Sequence, residues 1–76
     1  MTMSHWNHRL VDMGEGCLRI CEVCYHKDGR LELIDDNPAI QGQSKAEVKL
    51  ELKRMRKALE KPVLKWNAET KEVGRW

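Results

Sequence analysis

The stretch from Ser44 to Pro62 constrains this chain more than any other part of it. Ser44-Lys-Ala-Glu47 has the spacing of a capping box, in which a serine oxygen accepts an amide proton of the first helical turn and a glutamate reaches back to the serine amide. Pro62 lacks an amide proton and would clash with the preceding turn, so a helix begun at Ser44 must end near Glu60 or Lys61. Between these signals Val48, Leu52, Met55 and Leu59 recur at helical spacing. At about 100° per residue they share a sector roughly 60° wide. An amphipathic helix with that stripe turned inward needs an apolar surface to lie on, and in 76 residues the remaining chain has to supply it.

The segment before the helix reads as strands. Trp6, His8 and Leu10 alternate with Asn7, Arg9 and Val11, the period of two expected of a half-buried strand, with the first set as its largely apolar face. Asp12-Met-Gly-Glu-Gly16 supplies the glycines of a reversal. Cys17 to Tyr25 is rich in β-compatible residues, Asp28-Gly29 marks a tight hairpin turn, and Leu31 to Ile34 resumes the apolar character until Asp35-Asp-Asn-Pro38 stops it. The expected fold is therefore α+β, a three-stranded antiparallel β-meander packed by one C-terminal amphipathic helix, in the order βββα with a short extended segment after Pro62. Residues 1–66 form the expected single domain, and the polar segment 67–76 is expected to be a weakly ordered tail.

Charge is divided unevenly. Residues 1–44 carry four basic and seven acidic side chains, a net −3, whereas 45–76 carry ten and five, a net +5. The overall +2 thus hides a basic helix and tail. Lys45, Lys49, Lys53, Arg56 and Lys57 occupy the sector away from the apolar stripe and are the candidate nucleic-acid contacts. Leu50 interrupts that polar sector. With Trp66 and Trp76 it forms the candidate partner-binding set, since a small domain has little core in which to hide such residues and tryptophan is enriched among interface anchors.

Catalytic chemistry finds no support. Ser44 is used as a cap and Ser4 lies close to the N-terminal end, which leaves a serine-histidine-carboxylate arrangement without a nucleophile. The glycines match no phosphate-binding loop. Cys17, Cys21, Cys24 and His26 offer zinc-compatible atoms, but on a continuous strand Cys17 and Cys21 point to one face and Cys24 and His26 to the other. A second ligand pair is missing from the C-terminal half, so no cofactor is expected and these four remain weak metal candidates. The odd cysteine count, an N-terminal segment without a signal-like apolar run, and the lack of a run long enough to span a bilayer give a cytoplasmic expectation, with no membrane contact.

The words Trp6-Asn7-His8-Arg9-Leu10, Glu22-Val23 through Asp28-Gly29-Arg30, Asn37-Pro38 and Met55-Arg-Lys-Ala-Leu-Glu-Lys-Pro-Val-Leu64 together resemble a family of short uncharacterised bacterial proteins. The resemblance spans about Trp6 to Leu64, implies a shared shape and carries no activity with it. Cys24 and His26 depart from the tyrosine and aspartate of that pattern. The order of elements is also similar, by analogy alone, to the small domain of HicB-like antitoxins. The expected function is a non-enzymatic protein-interaction or regulatory role, toward another protein or a second copy of the chain. The alternatives are nucleic-acid binding or an antitoxin-like role through the basic helix face, and a phage- or plasmid-encoded inhibitor of a host defence complex.

Overall fold

The computed structural model describes residues 3–74, and within them the chain forms five strands that close into a small barrel, with one α-helix beside it. Strand β1 is Met3–Gly14, β2 is Cys17–His26 and β3 is Leu31–Asp35. The helix α1 is Lys45–Arg56, prolonged by a 3₁₀ turn at Lys57–Glu60. Strand β4 is Leu64–Asn67 and β5 is Glu72–Gly74. The order around the barrel is β1-β2-β3-β5-β4, and β4 returns to pair with β1 in parallel through Val11↔Leu64 and Asp12↔Lys65. A parallel pair needs a long crossover, and here the whole intervening chain, α1 included, provides it.

This overturns the expected three-stranded meander covered by a C-terminal helix. The three antiparallel strands are present, but their inner face is covered by β4 and β5, which come from the segment after Pro62 and from the polar stretch read as a tail. The hairpin joining them has no glycine or proline at its turn. Asn67 supplies the reversal instead, its side-chain oxygen accepting from the amides of Glu69 and Thr70 at 2.9 and 3.3 Å, while Lys71 takes a positive φ of 59°.

Inside the barrel Val11, Cys21, Val23, Leu64 and Val73 are fully or almost fully buried, and Met13, Tyr25, Leu31, Leu33 and Trp66 pack around them. The inner face of β1 is thus the one that carries Arg9, Val11 and Met13, while Trp6, His8 and Leu10 lie on the outer face. The reading from alternation had assigned the apolar face of β1 to the latter set. Two side chains misled it: Arg9 is buried at 5% exposure, and Trp6 is 46% exposed.

The barrel closes on itself, so α1 lies against its outer surface beside β1 and buries only part of its apolar stripe there. Of the expected inward stripe, Met55 is buried and Val48 half-buried, whereas Leu52 and Leu59 are 47% and 59% exposed. The helix meets the barrel beside β1 through Glu51, which approaches His8, and through Met55, and the wholly buried Ala58 of the following turn continues the contact. Its start is close to the sequence reading: Ser44 is extended, and its Oγ accepts from the Glu47 amide at 3.2 Å. Glu47, however, reaches past Ser44 to accept from the Gln43 amide. Among the described residues, no helix is long and apolar enough to cross a membrane.

Candidate functional site

Where the C-terminal end of α1 meets β1, the outer surface folds into a groove of about 420 Å³, within the size range of small-ligand sites. Trp6, Asn7 and His8 line it from β1, and Arg54, Lys57, Glu60 and Lys61 line it from the helix end and the turn that follows. The sequence explains both walls. Consecutive residues of a strand reach opposite faces, so Trp6 and His8 stand together on the outer side of β1. The cations gather at a helix C-terminus, where they complement the negative end of the helix dipole.

Trp6 meets His8 edge-on, with ring centroids 5.5 Å apart and planes inclined at 75°, and nearly half of its surface stays open to solvent. His8 is only 5% exposed. Its Nε2 lies 3.6 Å from Glu51 Oε1, too far for a hydrogen bond, and it has no other partner; the same holds for the buried side-chain oxygen of Asn7. Buried polar atoms are normally satisfied, which sets His8 apart on the groove wall; Asn7 alternates with it along β1 and turns its side chain toward the other face of the strand. Glu51 also meets Arg54 at 3.8 Å, which holds the guanidinium near the groove rim.

The residues singled out from sequence are distributed over several places. Lys57 lines the groove, and Lys45, Lys49, Lys53 and Arg56 are exposed along α1. Arg54, Lys61, Trp6 and His8 were not among the candidates. The five lysines at 45, 49, 53, 57 and 61 recur every fourth residue, a spacing visible in the sequence that leads along the helix to the groove. Leu50 is exposed, Trp66 is partly buried against the barrel core, and Trp76 lies outside the described residues.

The cysteines divide as strand geometry requires. Cys21 belongs to the barrel core and Cys17 is half-buried on the same side, while Cys24 is buried on the outer face with His26. All three are free thiols. Burial, with the nearby Asp36 carboxylate adding to it, pushes the Cys21 thiol up to about 11. Burial and then Glu32 also raise that of Cys24. Both shifts favour neutral, unreactive thiols. Comparison of the chain with protein families, with curated proteins and with solved structures finds no match.

Proposed function

We propose that this protein is a non-enzymatic binding module that takes single-stranded nucleic acid across the groove between β1 and the end of α1. The observation that carries this reading is the meeting of an exposed Trp6 ring with Arg54, Lys57 and Lys61 in one groove. Single strands are bound without duplex geometry by such pairings, in which bases stack on aromatic rings and cations follow the backbone; each stacked base contributes about 1–3 kcal/mol. The row of exposed lysines favours a polymer over a free nucleotide, because Lys45, Lys49 and Lys53 continue positive charge for about 12 Å along the helix beyond the groove.

Fluorescence anisotropy of a labelled oligothymidine, titrated with the protein at several salt concentrations, tests the reading. Three phosphate contacts in the groove correspond to a log–log salt slope of about −2. Trp6→Ala is expected to weaken binding about tenfold or more, and the paired change Lys57→Glu and Lys61→Glu should both weaken it and flatten the slope. Affinity unaffected by Trp6→Ala overturns the groove assignment.

A second reading, protein interaction through the helix, is favoured by Leu52 and Leu59, which lie seven residues apart on one helical side and remain exposed with Val63 beside the helix end. A second copy of the chain is the simplest occupant, and sedimentation velocity tests it. A dimer that Leu52→Glu dissociates supports this reading; a monomer throughout the micromolar range removes it.

A further inference from the structure

We propose that Cys24, His26 and Glu32 form a binding site for one thiophilic divalent metal ion of the Zn²⁺ class on the outer face of β2 and β3. Backbone geometry brings the three together. Cys24 and His26 are two residues apart on β2 and so share a face, and Glu32 is the direct cross-strand partner of Cys24 on β3. Cys24 Sγ lies 3.8 Å from His26 Nε2, Glu32 Oε1 lies 2.9 Å from the same nitrogen, and the three ligand atoms are all within 4.8 Å of one another.

The shared nitrogen decides between two chemistries. A cysteine-histidine-carboxylate relay places the thiol and the carboxylate on opposite ring nitrogens, so that one orients the imidazole while the other exchanges a proton with it. Here both converge on Nε2, and Nδ1 is buried with no partner. A relay cannot work through one nitrogen, whereas convergence of three donor atoms on one point is what coordination requires. With Zn–S of about 2.3 Å and Zn–N and Zn–O of about 2.0–2.2 Å, neighbouring ligand atoms in a tetrahedral site stand about 3.3–3.6 Å apart. The separations of 2.9 and 3.8 Å bracket that range: rotation of the exposed Glu32 side chain opens the shorter one, and a shift of a few tenths of an ångström between Cys24 and His26 closes the longer.

Donor type and surroundings narrow the ion. Thiolate and imidazole select zinc-like metals over calcium and magnesium, which take oxygen ligands. Cys24 is 2% exposed and the His26 side chain 7%, while that of Glu32 is 58% exposed. Two ligands are therefore held in place and the third is open to solvent, which gives the ion an entry path. Three protein ligands leave a fourth position for water or for Glu72, the cross-strand partner of Glu32 on β5. Arg30 favours the Cys24 thiolate electrostatically; ligation releases the thiol proton to solvent, and the ion, the thiolate and the Glu32 carboxylate together are then neutral.

Titration of the protein with Co²⁺ reports directly on the site, since thiolate ligation produces a charge-transfer absorption that oxygen and nitrogen ligands do not. One equivalent is expected to saturate the band, and Zn²⁺ should displace it. Cys24→Ser should abolish the band. Glu32→Gln, at an exposed position whose change leaves the barrel folded by circular dichroism, should weaken Zn²⁺ binding at least about tenfold by competition. Cys17→Ser and Cys21→Ser should retain both. Absence of the band in folded protein, its survival in Cys24→Ser, or unchanged zinc affinity in folded Glu32→Gln would each overturn the assignment.

Discussion

Arg9 extends within the barrel to Tyr25, its Nη1 donating to the phenolic oxygen at 2.6 Å, while Nη2 donates to the carbonyl of Pro62 at 2.8 Å. One nearly buried guanidinium thereby ties β1 to β2 and to the segment that leads into β4. Among the described residues its hydrogen bonds go to these neutral oxygens and not to a carboxylate. His5 stacks on the Tyr25 ring at 4.5 Å with planes 6° apart, which restricts where the phenol can point.

Tyr25→Phe removes the oxygen and leaves the ring, so the loss is that of a hydrogen bond to a charged donor, about 1.5–3 kcal/mol. Urea denaturation should show a lower midpoint with an unchanged slope. An unchanged midpoint would mean that water replaces the phenol and that the link contributes nothing.

The helix gives a sharper contrast. Met55 is 6% exposed and Leu52 is 47% exposed, although both belong to the same apolar stripe. Met55→Ala should cost about 2–4 kcal/mol as a core truncation, and Leu52→Ala should stay within about 0.5 kcal/mol of the parent. Equal losses in thermal or urea unfolding would place the helix flat against the barrel instead of at its edge.

That contrast also shows what the sequence could and could not disclose. Local signals were readable because they depend on neighbours in the chain: the Ser44 cap, the turns at Gly14–Gly16 and Gly29, and the stop before Pro62. Closure of the barrel was not readable. Strand β5 is three residues long, and its turn relies on Asn67 and a left-handed Lys71 in place of glycine. The inner face of β1 was hidden because Arg9 looks like a surface residue until Tyr25 and Pro62 are placed around it. The groove was hidden for the same reason, since Trp6 and Lys61 are 55 positions apart in sequence and only the fold brings them together.

Two glycines should fail for different reasons. Gly29 has φ of 89° with nothing within 4 Å of an added Cβ, so Gly29→Ala is strained by conformation alone. Gly42 has open conformational choice, but a Cβ there would stand 2.7 Å from the Cβ of Glu47. Each alanine should destabilise by about 1–2 kcal/mol. Gly29→Asn should recover part of the loss, because asparagine tolerates the left-handed region. Gly42→Asn should recover none, since its clash is with a neighbouring side chain. Recovery at both sites in a denaturation series would argue against the Gly42 contact.

Cys21 ties stability to alkaline pH. Its thiol is wholly buried beside Val11, Val23, Leu64 and Val73, and it points its proton toward the Arg19 carbonyl at 3.7 Å. Burial first and Asp36 second raise it from 9.0 to about 11. Below pH 9 the thiol is protonated in both folded and unfolded chains, and its contribution to stability is fully present. Between about 9 and 11 the unfolded chain releases the proton and the folded chain keeps it, so the equilibrium shifts toward unfolding as pH rises. Above 11 the contribution is lost. Urea midpoints measured from pH 8 to 11 should therefore fall more steeply for the parent than for Cys21→Ala, whose core position cannot ionise. Parallel curves for the two proteins would show that Cys21 ionises as readily inside the barrel as outside it.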